Sequence, residues 1–136
     1  MQPITILMAE DDPDDRLLIG EAFKESGVPS DLRFVSDGQE LMDYLGRRGP
    51  YREPADSPSP DFILLDLNMP RKDGREVLAE IKTNPRFCGF KVIVLSTSNE
   101  EKDVQLSARL GAVTFITKPA SFPELVNVVK SLQQMI

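Results

Sequence analysis

The sequence predicts an α/β domain, a doubly wound five-stranded parallel sheet with helices on both faces. Three observations predict it. Five short, β-rich apolar runs alternate with five stretches of helical periodicity along the 136 residues, the pattern of repeated crossover units. The run Phe62-Ile63-Leu64-Leu65 shows no polar alternation, as expected of a strand covered on both sides by helices. Several runs end abruptly on polar groups, and in open α/β sheets the crevice at the strands' carboxyl ends is where ligands bind.

The first run, Ile4-Thr5-Ile6-Leu7-Met8-Ala9, leads straight into Glu10-Asp11-Asp12-Pro13. Asp12 suits an N-cap with Pro13 at the first helical position, and Asp14 and Asp15 favour the positive end of the helix dipole, so these three acids need no functional explanation. Leu18 and Ala22, with Ile19 and Phe23, recur at four-residue spacing, and Gly27 supplies the stop. Leu32-Arg33-Phe34-Val35 is a short second strand closed by the turn Ser36-Asp37-Gly38, and Leu41, Met42 and Leu45 mark one side of a second helix. From Gly46 to Pro60, prolines at 50, 54, 58 and 60 describe an extended surface loop.

After the strand ending at Asp66, the turn Arg71-Lys72-Asp73-Gly74 opens a third helix carrying Val77, Leu78 and Ile81 inward and stopping near Asn84-Pro85. Lys91 to Leu95 form the fourth strand, which ends in Ser96-Thr97-Ser98. A weakly amphipathic fourth helix from Asn99 to Leu110 has Val104 and Ala108 as its clearest inward pair, and Gly111 ends it. Val113 to Ile116 are the fifth strand, followed by Lys118-Pro119. Ser121 and Glu124 have capping-box spacing, and Leu125, Val128, Val129 and Leu132 give the stripe of a final helix.

The chain has the length of one domain, residues 1–136, and no apolar run approaches the roughly 20 residues of a membrane helix. The start lacks the basic and apolar regions of a signal peptide, so a cytoplasmic protein is expected. A net charge of −6 argues against nucleic-acid binding, which needs clustered Lys and Arg. With no histidine, the usual zinc-ligand sets and histidine-based catalysis are excluded. The single Cys88 reads as a small structural hydrophobe.

Taken alone, Asp66 is a metal ligand, a nucleophile or a turn cap. In a parallel sheet, however, Glu10 and Asp11, Asp66, Ser96 and Lys118 all gather at one edge. Carboxylates from two strands repel, and a hard divalent cation with oxygen ligands relieves this; Mg²⁺ suits one or two carboxylates, waters and a phosphate. A Lys and a hydroxyl nearby can hold phosphoryl oxygens. The set points to phosphorylation of an Asp, with the carboxylate as nucleophile.

On these motifs the chain resembles a receiver domain of a two-component response regulator, over essentially its whole length. The resemblance implies the flavodoxin-like strand order 2-1-3-4-5, and Asp66, in Leu-Leu-Asp-Leu-Asn-Met-Pro, as phosphoacceptor. It implies a Mg²⁺ (or Mn²⁺) site at Glu10, Asp11 and Asp66 with the main-chain carbonyl of Asn68. It also implies Ser96 and Phe115 as switch residues, and a cis peptide between Lys118 and Pro119. Phe115 lacks the hydroxyl of a Tyr, so a switch that needs that hydrogen bond cannot operate, whereas one that needs ring burial can. The Gly49-Pro50-Tyr51 loop and the stretch from Asn68 to Lys82 are similar to the stand-alone regulators paired with cyanobacterial and bacterial phytochromes. That similarity implies a phytochrome histidine kinase as partner and a homodimer through the fourth helix, fifth strand and fifth helix. With no effector domain expected after Ile136, output would come from binding an unknown downstream protein, not from enzymatic turnover.

Three rival readings account for fewer of these residues. A haloacid-dehalogenase-type phosphohydrolase resembles Asp-x-Asp, but Asn68 holds the second position and no cap-sized insertion is present. An EF-hand loop fails because Pro70 stands where a third ligand is required. A phosphorylation-independent adaptor, a pseudo-receiver, usually lacks an acid, the hydroxyl or the Lys, and all are present.

Overall fold

The computed structural model describes residues 3–53, 57–69, 71–97 and 100–135. Its elements run β1 (Ile4–Ala9), α1 (Pro13–Ser26), β2 (Ser30–Val35), α2 (Gly38–Leu45), β3 (Phe62–Leu65), α3 (Gly74–Thr83), β4 (Lys91–Ser96), α4 (Glu101–Arg109), β5 (Thr114–Thr117) and α5 (Phe122–Leu132). The sheet has the order β2-β1-β3-β4-β5 with every pairing parallel, as expected. Ser98 and Asn99, the end of the expected hydroxyl run and the start of the expected fourth helix, lie outside the described residues, as does Pro70 of the Asp66 motif.

Two cores follow from the two-residue period of the strands. Leu7, Ile63, Leu65, Val92 and Val94 face α2 and α3, while Ile6, Met8, Phe62, Leu64, Ile93 and Leu95 face α1 and α5. Each central strand is therefore buried on both faces, which is why β3 carries no polar residue before Asp66. The caps are those the sequence announced. Asp12 accepts from Asp14 N at 2.8 Å, Ser121 accepts from Glu124 N at 3.3 Å, and Gly27 closes α1 with a left-handed φ of 73°.

Several expectations are corrected. Leu18 is exposed, and α1 buries Ile19, Ala22 and Phe23 instead, because the helix lays a narrow stripe against β1 and β3. On α4 the expected inward pair is wrong: Val104 and Ala108 are exposed, whereas Asp103 and Ser107 are buried. That polar face is satisfied because Ser107 Oγ donates to Asp103 O at 2.8 Å and Arg75 pairs with the Asp103 carboxylate. Cys88 is exposed, since it lies in the turn after α3 where Phe87 takes the buried place. The Lys118-Pro119 peptide is trans: no described peptide is cis. The trans form is favoured for X-Pro bonds by about 0.5–1 kcal/mol, and here Lys118 reaches its partners without the cis form.

In the expected Gly46–Pro60 loop, Pro54 lies outside the described residues, and the described part, residues 46–53 and 57–60, is not simply extended. Gly49–Tyr51 form one turn of 3-10 helix that lies on α2, with the Tyr51 ring 4.9 Å from Tyr44. Tyr51 donates to Glu40 Oε1 at 2.6 Å, Tyr44 to Pro58 O at 2.8 Å, and Arg47 to Ser57 O at 2.9 Å. Burial and the bond to Glu40 push the Tyr51 phenol well above its usual range, so it remains a donor.

Candidate functional site

Parallel pairing brings the carboxyl ends of β1, β3, β4 and β5 to one edge, and the residues there meet. Asp66 follows β3 directly and is 8% exposed. Its Oδ1 accepts from Asn68 N at 2.9 Å and from the buried Ser96 hydroxyl at 3.1 Å. Its Oδ2 lies 3.1 Å from Lys118 Nζ. The same ammonium is 3.0 Å from Glu10 Oε1 and 3.9 Å from Asp15 Oδ2.

One cation thus holds two buried carboxylates from strands that are neighbours in the sheet. Burial works against the Lys118 charge, but the hydrogen bond to Glu10 and the charge of Asp66 outweigh it, holding the ammonium above its ordinary range. Lys118 is itself placed by its backbone, whose N–H donates to Ser96 O at 2.8 Å, so β5 delivers the lysine and steadies the end of β4.

The backbone after Asp66 is held as firmly as its side chain. Gly74 N donates to Leu67 O at 3.0 Å, and a Cβ at Gly74 would stand 2.2 Å from Asp66 O. The first turn of α3 therefore sits directly on the Asp66–Leu67 backbone, an approach only glycine permits.

Among the expected site residues, Glu10, Asp66, Ser96 and Lys118 come together. Asp11 does not join them: its side chain is exposed, and among the described residues no group of three acidic or other ligating side chains is gathered around one point. The donor set still suits a hard divalent cation in kind. It is all oxygen, its two buried carboxylates share one lysine and so leave a net negative charge, and Asp11 stands in solvent next to Glu10. Asn68 is exposed at the rim. Phe115 is half-buried against the core formed with α2 and α3.

Two positioning residues escaped the sequence reading. Arg16 Nε donates to Glu10 O at 2.5 Å and its Nη2 to Ser36 Oγ at 3.0 Å, while its guanidinium lies 5.2 Å from the Phe34 ring centre; it fixes the acidic loop from below. Arg75, in the first turn of α3, pairs with Asp103. A signal existed for Arg75, since a cation at the positive end of a helix is unfavourable unless an acid answers it.

Comparison with known proteins places this geometry. The response regulator receiver domain family matches residues 6–130. Response regulator Rcp1 of Synechocystis sp. is 41% identical over 131 residues, covering 96% of this chain and 87% of that protein. Its Mn(2+)-bound crystal structure superposes with a TM-score of 0.85 over 97% of this chain and 93% of that one. The phosphorylated cyanobacterial phytochrome response regulator RcpA is 44% identical, with a TM-score of 0.86 over 98% of this chain and 93% of that one. RPA3017, a response regulator in red light signaling of R. palustris, is 37% identical, with a TM-score of 0.92 over 98% of this chain and 93% of that one. A probable cyclic di-GMP phosphodiesterase of Vibrio cholerae is also similar, but this chain spans only 24% of it. A receiver-like strand order, an acidic strand edge closed by Lys118 and a family match over nearly the whole sequence agree: the chain belongs to the response regulator receiver domains and is homologous to phytochrome-associated members.

Proposed function

We infer that the receiver domain formed by this chain accepts a phosphoryl group on Asp66 from a sensor histidine kinase, a phytochrome, and signals by changed protein contacts. The observation that carries the reading is the Asp66 carboxylate itself, buried and held by Ser96 Oγ, Asn68 N and Lys118 Nζ. The phosphorylated state of RcpA and the red-light role of RPA3017 support it. In the reaction an Asp66 oxygen attacks phosphorus, the bond to the donor breaks, and the electron pair leaves with the donor. Asn68 N–H and the Ser96 hydroxyl orient the carboxylate, so little rotation remains to be lost at the transition state. Lys118, charged throughout the neutral range, stabilises negative charge on the transferred group. A bound Mg²⁺ or Mn²⁺ would neutralise phosphoryl charge; Glu10, Asp11, Asp66 and the Asn68 carbonyl are its proposed ligands, and the Mn(2+)-bound form of Rcp1 supports this.

The direct test is incubation with acetyl phosphate followed by intact mass. One added phosphoryl group is expected with Mg²⁺ present and none with the metal chelated; no gain under either condition overturns the reading. A second test reads the metal without chemistry. Binding to the native state alone adds RT ln(1 + [L]/Kd), about 1.4 kcal/mol per tenfold excess over Kd. The melting temperature should therefore rise with millimolar Mg²⁺, and Asp11→Ala should remove the dependence; an equal response in the variant misplaces the site.

Output is proposed to leave through α4, β5 and α5. Val104 and Val113 are exposed there beside Ala108, Ala112 and Phe115, an apolar groove suited to a second copy of the chain or a downstream protein. Movement of Ser96 toward the phosphoryl oxygens would open room that the half-buried Phe115 ring can fill. No described helix is long and apolar enough to cross a membrane, and a cytoplasmic location and a role other than metabolic enzyme are part of the proposal.

A further inference from the structure

The most completely made ion pair outside the strand edge lies between α3 and α4. Arg75 Nε donates to Asp103 Oδ1 and Arg75 Nη2 to Asp103 Oδ2, both at 2.8 Å, the two-pronged geometry that fixes orientation as well as distance. Asp103 is 2% exposed, on the inner face of an α4 that buries no large apolar side chain. Ser107 Oγ closes the same face on Asp103 O. The hydrogen bonds to Asp103 raise the already high pKa of the guanidinium, against burial, so the guanidinium stays charged.

Arg75 also faces backward. Its Nη1 lies 3.3 Å from both Asp73 carboxylate oxygens and 3.5 Å from Leu67 O, and its neighbour Gly74 is seated on the Asp66–Leu67 backbone. One side chain therefore joins the backbone next to Asp66 to the first turn of α4. Ser96, whose carbonyl is tied to Lys118 N, is the last residue of β4, the strand that precedes α4 in the chain.

We propose that Arg75 is a positioning residue that seats α4 on the loop of the phosphoacceptor, so that charge placed on Asp66 reaches α4 through the Arg75–Asp103 pair as well as through Ser96. The chemistry favours this route. A bidentate pair on a helix with a polar inner face has two states, made or broken, and a two-state element is what both ends of a coupled system must bias. Leu67, whose carbonyl lies 3.5 Å from Arg75 Nη1, is the next residue after Asp66, and a guanidinium drawn toward new negative charge on Asp66 would loosen its hold on Asp103.

The proposal rests on phosphorylation of Asp66, but its test does not stand or fall with it. Amide exchange of residues 101–109 is compared in the parent, Arg75→Met, Arg75→Lys and Asp103→Asn, each with and without Mg²⁺ and beryllofluoride. Without the anion, Arg75→Met and Asp103→Asn are expected to speed exchange in α4 by tenfold or more while β1 and β3 keep their protection, and Arg75→Lys, which keeps the charge but loses the fork, should fall between. With the anion, the parent should show a change in α4 that shrinks at least threefold in Arg75→Met. Exchange in α4 within twofold of the parent, with or without the anion, overturns the proposal, as does an equal loss of protection in β1 and β3, which would make the pair merely structural. A parent that binds no beryllofluoride counts against the phosphoacceptor reading alone, because the comparison without the anion still decides whether Arg75 seats α4.

Discussion

Asp66→Asn is expected to gain no phosphoryl group under conditions in which the parent protein gains one, while folding to the same structure. The amide oxygen can keep the bonds that Oδ1 accepts from Asn68 N and the Ser96 hydroxyl. Lys118 keeps Glu10 at 3.0 Å as its partner, so no charge is stranded. What disappears is the anionic nucleophile, and no neighbour replaces it. Glu10 is buried under Lys118, Asp15 is half-buried in the first turn of α1 at 3.9 Å from the same ammonium, and neither holds the strand-end position with two orienting donors. Intact mass after reaction with acetyl phosphate and Mg²⁺ measures the outcome, and labelling of the variant equal to the parent would remove Asp66 from its assigned role.

Lys118→Met has the second largest expected effect, and it falls on stability. In the parent, Nζ bridges Glu10 and Asp66 at 3.0 and 3.1 Å, and both acids are buried. Removing one partner of a buried ion pair costs about 3–5 kcal/mol because the other charge is left uncompensated. Here the lower end, about 3 kcal/mol, is expected, since a fifth of the Lys118 side chain is in water and Arg16 and Asn68 still bond the acidic segments. Urea unfolding at neutral pH without divalent metal measures the loss. Millimolar Mg²⁺ should recover more stability in the variant than in the parent, because the cation would take over charge that lysine otherwise neutralises. A variant as stable as the parent without metal would mean that Lys118 does not hold the acids together.

Much of this structure is legible in the sequence because its signals are local. The parallel sheet follows from alternation and crossover handedness, its 2-1-3-4-5 order is implied by the family resemblance, and Asp12, Gly27 and Ser121 each act through bonds within a few residues. The convergence of Glu10, Asp66, Ser96 and Lys118 was legible for a different reason: in a parallel sheet, knowing that a residue ends a strand is enough to place it. What failed was long-range and polar. Val104 and Ala108 look like the inward pair of α4 only while Asp103 is taken for a solvated acid, and its partner Arg75 is 28 residues away on another helix. Leu18 misled through the same logic in reverse, since periodicity marks an apolar stripe but not how wide a stripe the sheet can cover. Asp11 beside Glu10 shows the limit at the site: adjacent residues at a strand end point to opposite sides, and the chain alone does not say which is buried.

The bond between Lys118 and Glu10 closes a separation of 108 residues, and this has a consequence in time. Asp66 leaves the ribosome 52 residues before Lys118, an interval of roughly 3–10 s at ordinary rates of synthesis. Throughout it the nascent chain holds Asp66 and its acidic neighbour Glu10 without their shared cation, and without the strand that fastens the end of β4. An unfinished copy therefore lacks the assembled strand edge, and the charge pattern of the finished site exists only once β5 has docked.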